Sequence, residues 1–259
     1  MFSRAMVLAV SCGALSFGCS SEPTDSAGET QEIIDNLGQA GFPASEIMVV
    51  DGVVYVGRDA EVSLQASREM LEVDGSTKDE QYRTTNLVSL TLANICINGA
   101  AFTGVFSTAL NDAIANYNAR GLTFRMTRTS GSTTGCNATI TARISSGTGG
   151  SAGFPSGGRP FNTINIGSGL STFNVNTVEH VITHELGHTI GFRHSDFFNR
   201  SISCGGAATN EGSAGVGAIH ITGTPTGATV GGSIMNSCFR TTETGEFTSS
   251  DITALNVLY

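Results

Sequence analysis

The sequence predicts an α+β fold: a small α/β unit near the N-terminus, then a larger unit in which strands, a long helix and a closing helix follow one another. Three observations carry this. Segments of alternating polarity cluster between residues 122 and 166, and apolar residues recur at helical spacing in 102–117 and 178–190. Gly accounts for 33 of 259 residues, nearly twice the usual ~7%, and Lys occurs once, at Lys78. Such a chain favours turns and strands over long surface helices. With 39% apolar residues a buried core is expected, and the net charge of −9 excludes a nucleic-acid binder that works by neutralising phosphates.

The chain divides into residues 1–18, 19–30, 31–75, 76–85 and 86–259. Arg4 and the amino terminus precede Ala5 to Gly18, a stretch of small and apolar residues that reads as a secretory signal and is shorter than the ~18 residues a membrane span needs. Gly18-Cys19 resembles the end of a bacterial lipobox, with Leu15 one place early and a bulky Phe17. Cys19 is therefore the candidate lipid attachment, and 19–30 a polar tether. Export is expected, to the bacterial outer membrane as a lipoprotein or free by secretion. Any membrane association would run through that anchor alone, and the chain is expected to act as a monomer.

In 31–75, Gln31 to Leu37 reads as a short helix ending at Gly38. Ile47 to Val50 and Val53 to Val56 flank Asp51-Gly52, a strong hairpin signal. Ser63 to Leu71 reads as a second helix, and the polar 74–83 segment as a linker open to cleavage. In the larger unit a helix over Phe102 to Tyr117 ends before Gly121. Strands follow at Leu122 to Met126, Ala138 to Ile144 and Asn162 to Ile166, then helices at Val178 to Ile190 and Ser249 to Tyr259. Asn176 is the expected cap of the first of these, with Glu179 three places on.

Once the leader and Cys19 are set aside, Cys96, Cys136, Cys204 and Cys238 remain for an oxidising compartment, and four cysteines permit three pairings. Cys96–Cys136 and Cys204–Cys238 are favoured because each closes one loop locally. A zinc held by all four thiolates would need close CxxC-type spacing, which is missing.

The chemistry is concentrated in His184-Glu185-Leu186-Gly187-His188-Thr189-Ile190-Gly191-Phe192-Arg193-His194. His184 and His188 are four apart and share one helical face, where two neutral imidazoles can hold one Zn²⁺. Glu185 sits beside the pair as the candidate general base for an attacking water. Gly191 lets the chain turn, so that His194 returns as a third ligand and a fourth position stays open. His180 is on the same face but lies eight residues from His188, about 12 Å along the helix, so one ion cannot bridge them. It reads as a hydrogen-bonded histidine. Asp196 is a candidate to hydrogen-bond a ligand imidazole from behind, and His220 reads as a loop histidine.

This segment resembles the zinc signature of the metzincin metalloproteases. Ser233-Ile234-Met235-Asn236, with Met235 41 residues after His194, is similar to their Met-turn, and Phe247 to Tyr259 to their closing helix. HELGHTIGFRHSD, IHITGTPTGA around His220 and SIMNS look most like the bacterial dual-action HEIGH metallopeptidases, with Leu186 where the name-giving Ile would stand. The resemblance covers about 86–259. It implies a twisted, mostly parallel sheet with an antiparallel edge strand, a long active-site helix, and zinc-dependent hydrolysis of peptide bonds in extracellular proteins or peptides. Met235 would pack beneath the metal. Ser151 to Phe154 would lie near the edge that pairs with an extended substrate. Astacin-like members carry a Tyr shortly after the Met; Asn236-Ser237-Cys238-Phe239 has none, which leaves oxyanion stabilisation without a residue. Some metzincins need Ca²⁺, but no dense acidic loop here supplies a site.

The resemblance also implies a zymogen. Tyr55-Val56-Gly57-Arg58-Asp59 is loosely similar to the FxGD-like segment with which astacin-type proenzymes occupy their zinc. Asp59 is thus the candidate blocking ligand, released by cleavage near Lys78 or Arg83. Two other motifs compete. Residues 149–153 match GxSxG and 147–152 match GxGxxA, but no helix can start well in the Pro-rich run that follows. Serine hydrolysis through Ser151 and a surface adhesion module with a vestigial zinc site are the alternatives; an intact Glu185 argues against the second.

Overall fold

The computed structural model describes residues 26–72, 81–212 and 217–259. The expected signal, the lipidation site at Cys19 and Lys78 lie outside them. Helix α1 spans Ser26–Gln39 and buries Ile33 and Leu37. It starts inside the segment expected to be a tether, because Thr30 Oγ1 ties its first turn to the carbonyls of Ser26 (2.8 Å) and Gly52 (3.1 Å). Strands β1 (Ile47–Val50) and β2 (Val53–Val56) form the predicted hairpin, with Asp51 and Gly52 both at positive φ, as its tight turn requires. A two-residue strand β3 (Ala60–Glu61) returns along β2. Helix α2 (Leu64–Glu69) then starts at Ser63, whose Oγ accepts from Ala66 N at 3.1 Å. Leu37, Phe42, Val54, Val56, Ala66 and Met70 close a small core here, and Phe154 joins it from the larger unit.

The larger unit begins with β4 (Tyr82–Arg83) and β5 (Asn94–Asn98), then α3 (Gly104–Asn118) and β6 (Arg125–Thr129). β7 (Ala138–Ser145), β8 (Gly150–Gly153) and β9 (Thr163–Gly167) lead into α4 (Val175–Thr189). A short α5 (Ser201–Cys204), β10 (Ile219–His220), which pairs with β4, and α6 (Ser249–Leu258) complete it. Strands β9, β7, β5 and β6 are parallel to one another, while β8 runs antiparallel to β9. This is the expected mostly parallel sheet with an antiparallel strand. Ile95, Ile97, Ile140, Ile164 and Ile166 line one face of it, and α3 and α4 bury Leu110, Tyr117, Ile182 and Leu186 against them.

Three expectations are corrected. First, β8 is not the free edge. β3 adds to it in parallel, so one sheet runs β1-β2-β3-β8-β9-β7-β5-β6 through both units. The reason is hydrogen bonding: Ala152 N donates to Asp59 O at 3.0 Å and Phe154 N to Glu61 O at 3.3 Å, which satisfies donors an open edge would expose. Second, α4 starts earlier than expected, at an Asn174 cap whose Oδ1 accepts from Thr177 N at 2.9 Å; Asn176 does not cap it, and Glu179 instead accepts from Asn116 Nδ2 at 2.7 Å. Third, residues 122–124 are not strand, because Thr123 N is held by the C-terminal carbonyl of Tyr259 at 2.9 Å, which delays β6 to Arg125. The favoured disulfides are both present. Cys96–Cys136 joins β5 to the loop before β7, and Cys204–Cys238 joins α5 to the segment after Met235, with Cα separations of 5.5 and 5.1 Å.

Candidate metal centre

Helix α4 presents His184 and His188 one turn apart, and the chain then reverses at Gly191. Gly191 has φ +110°, and a Cβ there would stand 2.6 Å from Asn86 O, so both the dihedral and the space demand glycine. Gly191 N and Phe192 N close the helix end on the carbonyls of His188 (3.0 Å) and Gly187 (3.1 Å). His194 comes back against the helix, with its ring centroid 5.2 Å from that of His184 and 4.9 Å from that of His188. One ligand atom each from Asp59, His184, His188 and His194 all lie within 4.8 Å of one another.

The far side of each ring sets its tautomer. His184 Nδ1 faces Ile234 O at 2.8 Å and His188 Nδ1 faces Phe192 O at 2.8 Å. A carbonyl can only accept, so both Nδ1 atoms carry the proton and both Nε2 atoms are left with a lone pair. His194 Nδ1 donates to the carboxylate of Glu211, 2.8 and 3.0 Å away. Three Nε2 atoms therefore converge, each oriented from behind, as metal-binding imidazoles are. His188 Nε2 and Asp59 Oδ1 are buried without a hydrogen-bond partner. Unpartnered buried polar atoms are costly, and a cation between them removes the cost, so the donor set fits a zinc ion.

The electrostatics agree. Burial, reinforced by the neighbouring imidazoles, pushes His184 well below its ordinary pKa, and burial holds His188 down at about 4. Burial acts on His194 in the same direction, but Asp59 and Glu211 outweigh it and lift the ring to about 10. Without a metal the cluster thus keeps one proton, on the ring that lies between two carboxylates.

Asp59 reaches the site from the smaller unit. Its carboxylate oxygens lie 3.2 Å from His194 Nε2, 3.7 Å from His188 Nε2 and 4.0 Å from His184 Nε2. Two residues earlier Gly57, at φ +60°, passes so close that a Cβ would meet Glu211 Oε2 at 2.9 Å and His194 Nδ1 at 3.1 Å. Glu185 is 2% exposed. Its Oε1 lies 2.3 Å from where a Cβ on Gly150 would be, so only a glycine in β8 lets the sheet approach the carboxyl. Its Oε2 has no partner. Burial, with the charge of Asp59 beside it, drives this carboxyl well above the ordinary carboxylate range.

Met235 lies beneath the histidines. Its Sδ would stand 2.6 Å from a Cβ on Gly187, and its carbonyl accepts from Ser195 N at 2.8 Å. Asp251, in the first turn of α6, fixes that turn by accepting from Ser233 Oγ and from Ile234 N at 3.0 Å. Asp196 does not touch a ligand ring. Its carboxylate accepts from Ser203 Oγ (2.6 Å) and from Ser237 N (2.9 Å) and Oγ (2.7 Å), so it organises the loops behind His194. His180 is buried and hydrogen-bonded to Thr244 O at 2.9 Å, outside the metal cluster, and His220 pairs in β10 with Nε2 2.9 Å from Thr224 Oγ1. Ser151 is in β8 with no helix after it, and its Oγ accepts from Asn165 Nδ2 at 3.2 Å, so neither competing Gly-rich motif has its required setting.

Glu211, Arg200 and Arg193 escaped the sequence reading. Glu211 is 1% exposed between His194, Arg193 (3.5 Å) and Arg200 (2.5 Å). A signal existed: Glu211 is the sole carboxylate between Asp196 and Glu243. Arg193 is fully buried, with its guanidinium 4.4 Å over the ring of Phe42 from the smaller unit.

Residues 54–259 match the family model described as dual-action HEIGH metallo-peptidase. Among solved structures, "Structure of myroilysin" aligns with a TM-score of 0.41 at 11% identity, covering 67% of this chain and 95% of that one. "Crystal structure of myroilysin" aligns at 0.37 and 10% identity, covering 65% and 82%. No curated protein matches.

Proposed function

The chain belongs to the dual-action HEIGH metallo-peptidase family, and on that premise we propose that it is an exported, monomeric zinc endopeptidase held latent by its own N-terminal unit. The observation that carries the reading is the convergence of three Nε2 atoms, each backed by an acceptor at Nδ1. His184, His188 and His194 would hold the ion, and Asp59 would complete its coordination in the latent state. A bound Zn²⁺ supplies Lewis-acid polarisation of a peptide carbonyl and acidifies water.

The remaining work belongs to Glu185. Its unpartnered Oε2 takes a proton from the attacking water and returns it to the leaving amine nitrogen. Departure of Asp59 opens the site to water and removes the charge that raises this carboxyl, and a nearby divalent ion lowers it further, so the base becomes ionised when the cleft opens. The backbone of β8, whose donors now serve Asp59 and Glu61, would then pair with a protein or peptide substrate. Cleavage at Lys78 is the favoured release, since Arg83 is paired in β4 and donates to Thr84 O at 3.0 Å. Two disulfides support an oxidising compartment, consistent with a cleaved leader and an acylated Cys19.

The test compares digestion of an unfolded protein by the full chain, the chain cut at Lys78, Asp59→Ala and Glu185→Gln, with metal content measured throughout. Asp59→Ala or cleavage should release activity that a chelator abolishes, and Glu185→Gln should bind zinc without cutting. Equal activity in the full chain and Asp59→Ala would reject latency. Zinc without cleavage in every form would reject the peptidase.

A further inference from the structure

We infer that Arg200 is a substrate-positioning residue, which grips a backbone carbonyl of the bound peptide on the side of the metal away from β8. This rests on the peptidase reading above and adds to it a second wall of the cleft.

The inference starts from what holds residues 57–61. Beside the pairing of β3 with its neighbours, three carbonyls of this segment accept from the larger unit. Arg200 Nη1 donates to Gly57 O at 2.7 Å, Ala152 N to Asp59 O at 3.0 Å, and Phe154 N to Glu61 O at 3.3 Å. The Asp59 side chain sits at the histidines between the first of these and the other two. The chain's own segment therefore meets the metal site at the turn of the β2–β3 hairpin, where Gly57 and Arg58 both have positive φ, with a guanidinium holding one end of the turn and a strand the other.

When that segment leaves, all three donors lose their acceptors. The amides of Ala152 in β8 and of Phe154 just after it are an ordinary strand edge and can pair with any extended chain. Arg200 is different. It is 5% exposed, and its guanidinium is oriented by Glu211 at 2.5 Å. Glu211 stays paired with it and keeps Nη1 aimed at the position that the departing carbonyl vacates. In a cleft that works on peptides the replacement is a substrate carbonyl. Gly57 has no Cβ because Glu211 and His194 touch it, so the residue placed there by the substrate must also be small or turn its side chain outward. Glu211 joins the two functions: one carboxylate orients both the grip on the backbone and the His194 ring.

The experiment uses the full chain carrying Asp59→Ala, with Arg200→Lys and Arg200→Met added. Lys keeps a donor, while Met removes it. If Arg200→Met alone does not fold, Arg200→Gln, which removes the charge but keeps a polar end towards Glu211, takes its place in the same measurements. Expected for Arg200→Met is a KM raised about tenfold or more with kcat and zinc content within about twofold, and partial rescue by Arg200→Lys. An inhibitor peptide copying residues 54–63 should lose about tenfold in affinity when its Gly57 carbonyl is reduced to CH₂. That loss should vanish in Arg200→Met. An unchanged KM, a change confined to kcat, or equal loss from the reduced peptide in both proteins overturns the inference. If the Asp59→Ala chain cuts nothing, the peptidase reading fails, and this inference fails with it. Cutting with Arg200-independent KM fails this inference alone.

Discussion

Replacing Glu211 by glutamine keeps the shape of a side chain that is 1% exposed but removes its charge. Three cationic neighbours feel the change: Arg200 at 2.5 Å, Arg193 at 3.5 Å and the His194 ring at 2.8 Å. Burial by itself would raise this carboxyl, yet His194, Arg193 and Arg200 together hold it far below the ordinary carboxylate range. Losing one partner of a buried ionic network costs about 3–5 kcal/mol. Glutamine retains one acceptor, so the low end applies, still a large part of the ~5–15 kcal/mol that holds a domain folded. The same substitution frees the His194 ring, and loss of such a backing carboxylate weakens metal affinity about 10–100-fold. Denaturant unfolding of the metal-free protein and zinc competition against a chelator measure the two effects separately. The sign with pH is also set. A depressed folded pKa gives stability that is present above the unfolded value near 4.3 and drains away as pH falls towards the folded one. The parent should therefore lose stability in acid more steeply than Glu211→Gln. A variant that binds zinc within twofold of the parent would refute the argument that Glu211 positions His194, whatever happens to stability.

Gly57→Ala places a Cβ 2.9 Å from Glu211 Oε2 at a φ of +60°, so the 57–61 segment should dock about tenfold less well and, on the proposed latency, the full chain gain activity on an unfolded substrate; unchanged activity would mean that the segment does not gate the cleft. Zinc uptake near pH 7.5 should release about one proton, because His194, lifted to about 10, is charged there while His188, at about 4, is neutral. Calorimetry in buffers of different ionisation enthalpy reads this number, which should fall towards zero as pH passes 10; release of none or of three protons at pH 7.5 would contradict the tautomers assigned here. Gly191→Ala, forced to φ +110° with its Cβ 2.6 Å from Asn86 O, should cost about 2 kcal/mol or more and lower zinc affinity by displacing His194; a fully stable, zinc-replete variant would show that the turn is not needed.

What could be read before any coordinates followed from local spacing. Residues four apart on a helix must share a face, so His184 and His188 were assignable, and Gly191 marked the turn that returns His194. The Asp51-Gly52 hairpin and the helix after Ser63 have the same local origin. Strands β3, β4 and β10 were not legible, because two residues carry no periodicity and only their distant partners make them strands.

The sequence alone thus determined the three imidazoles, Glu185 and the Met235 turn, since each depends on dihedrals and contacts within a few residues or on a motif of fixed spacing. It raised Asp59 as a candidate but could not bring it to the three imidazoles. Tertiary structure decided that Asp59 lies 3.2 Å from His194, that β3 covers β8, and that Glu211 rather than Asp196 backs the third ring. These rest on contacts between residues 17 to 135 positions apart in the chain. The physical reason is that such pairings are chosen by burial and hydrogen-bond satisfaction over the whole molecule, which leave no periodic trace in the residues that make them.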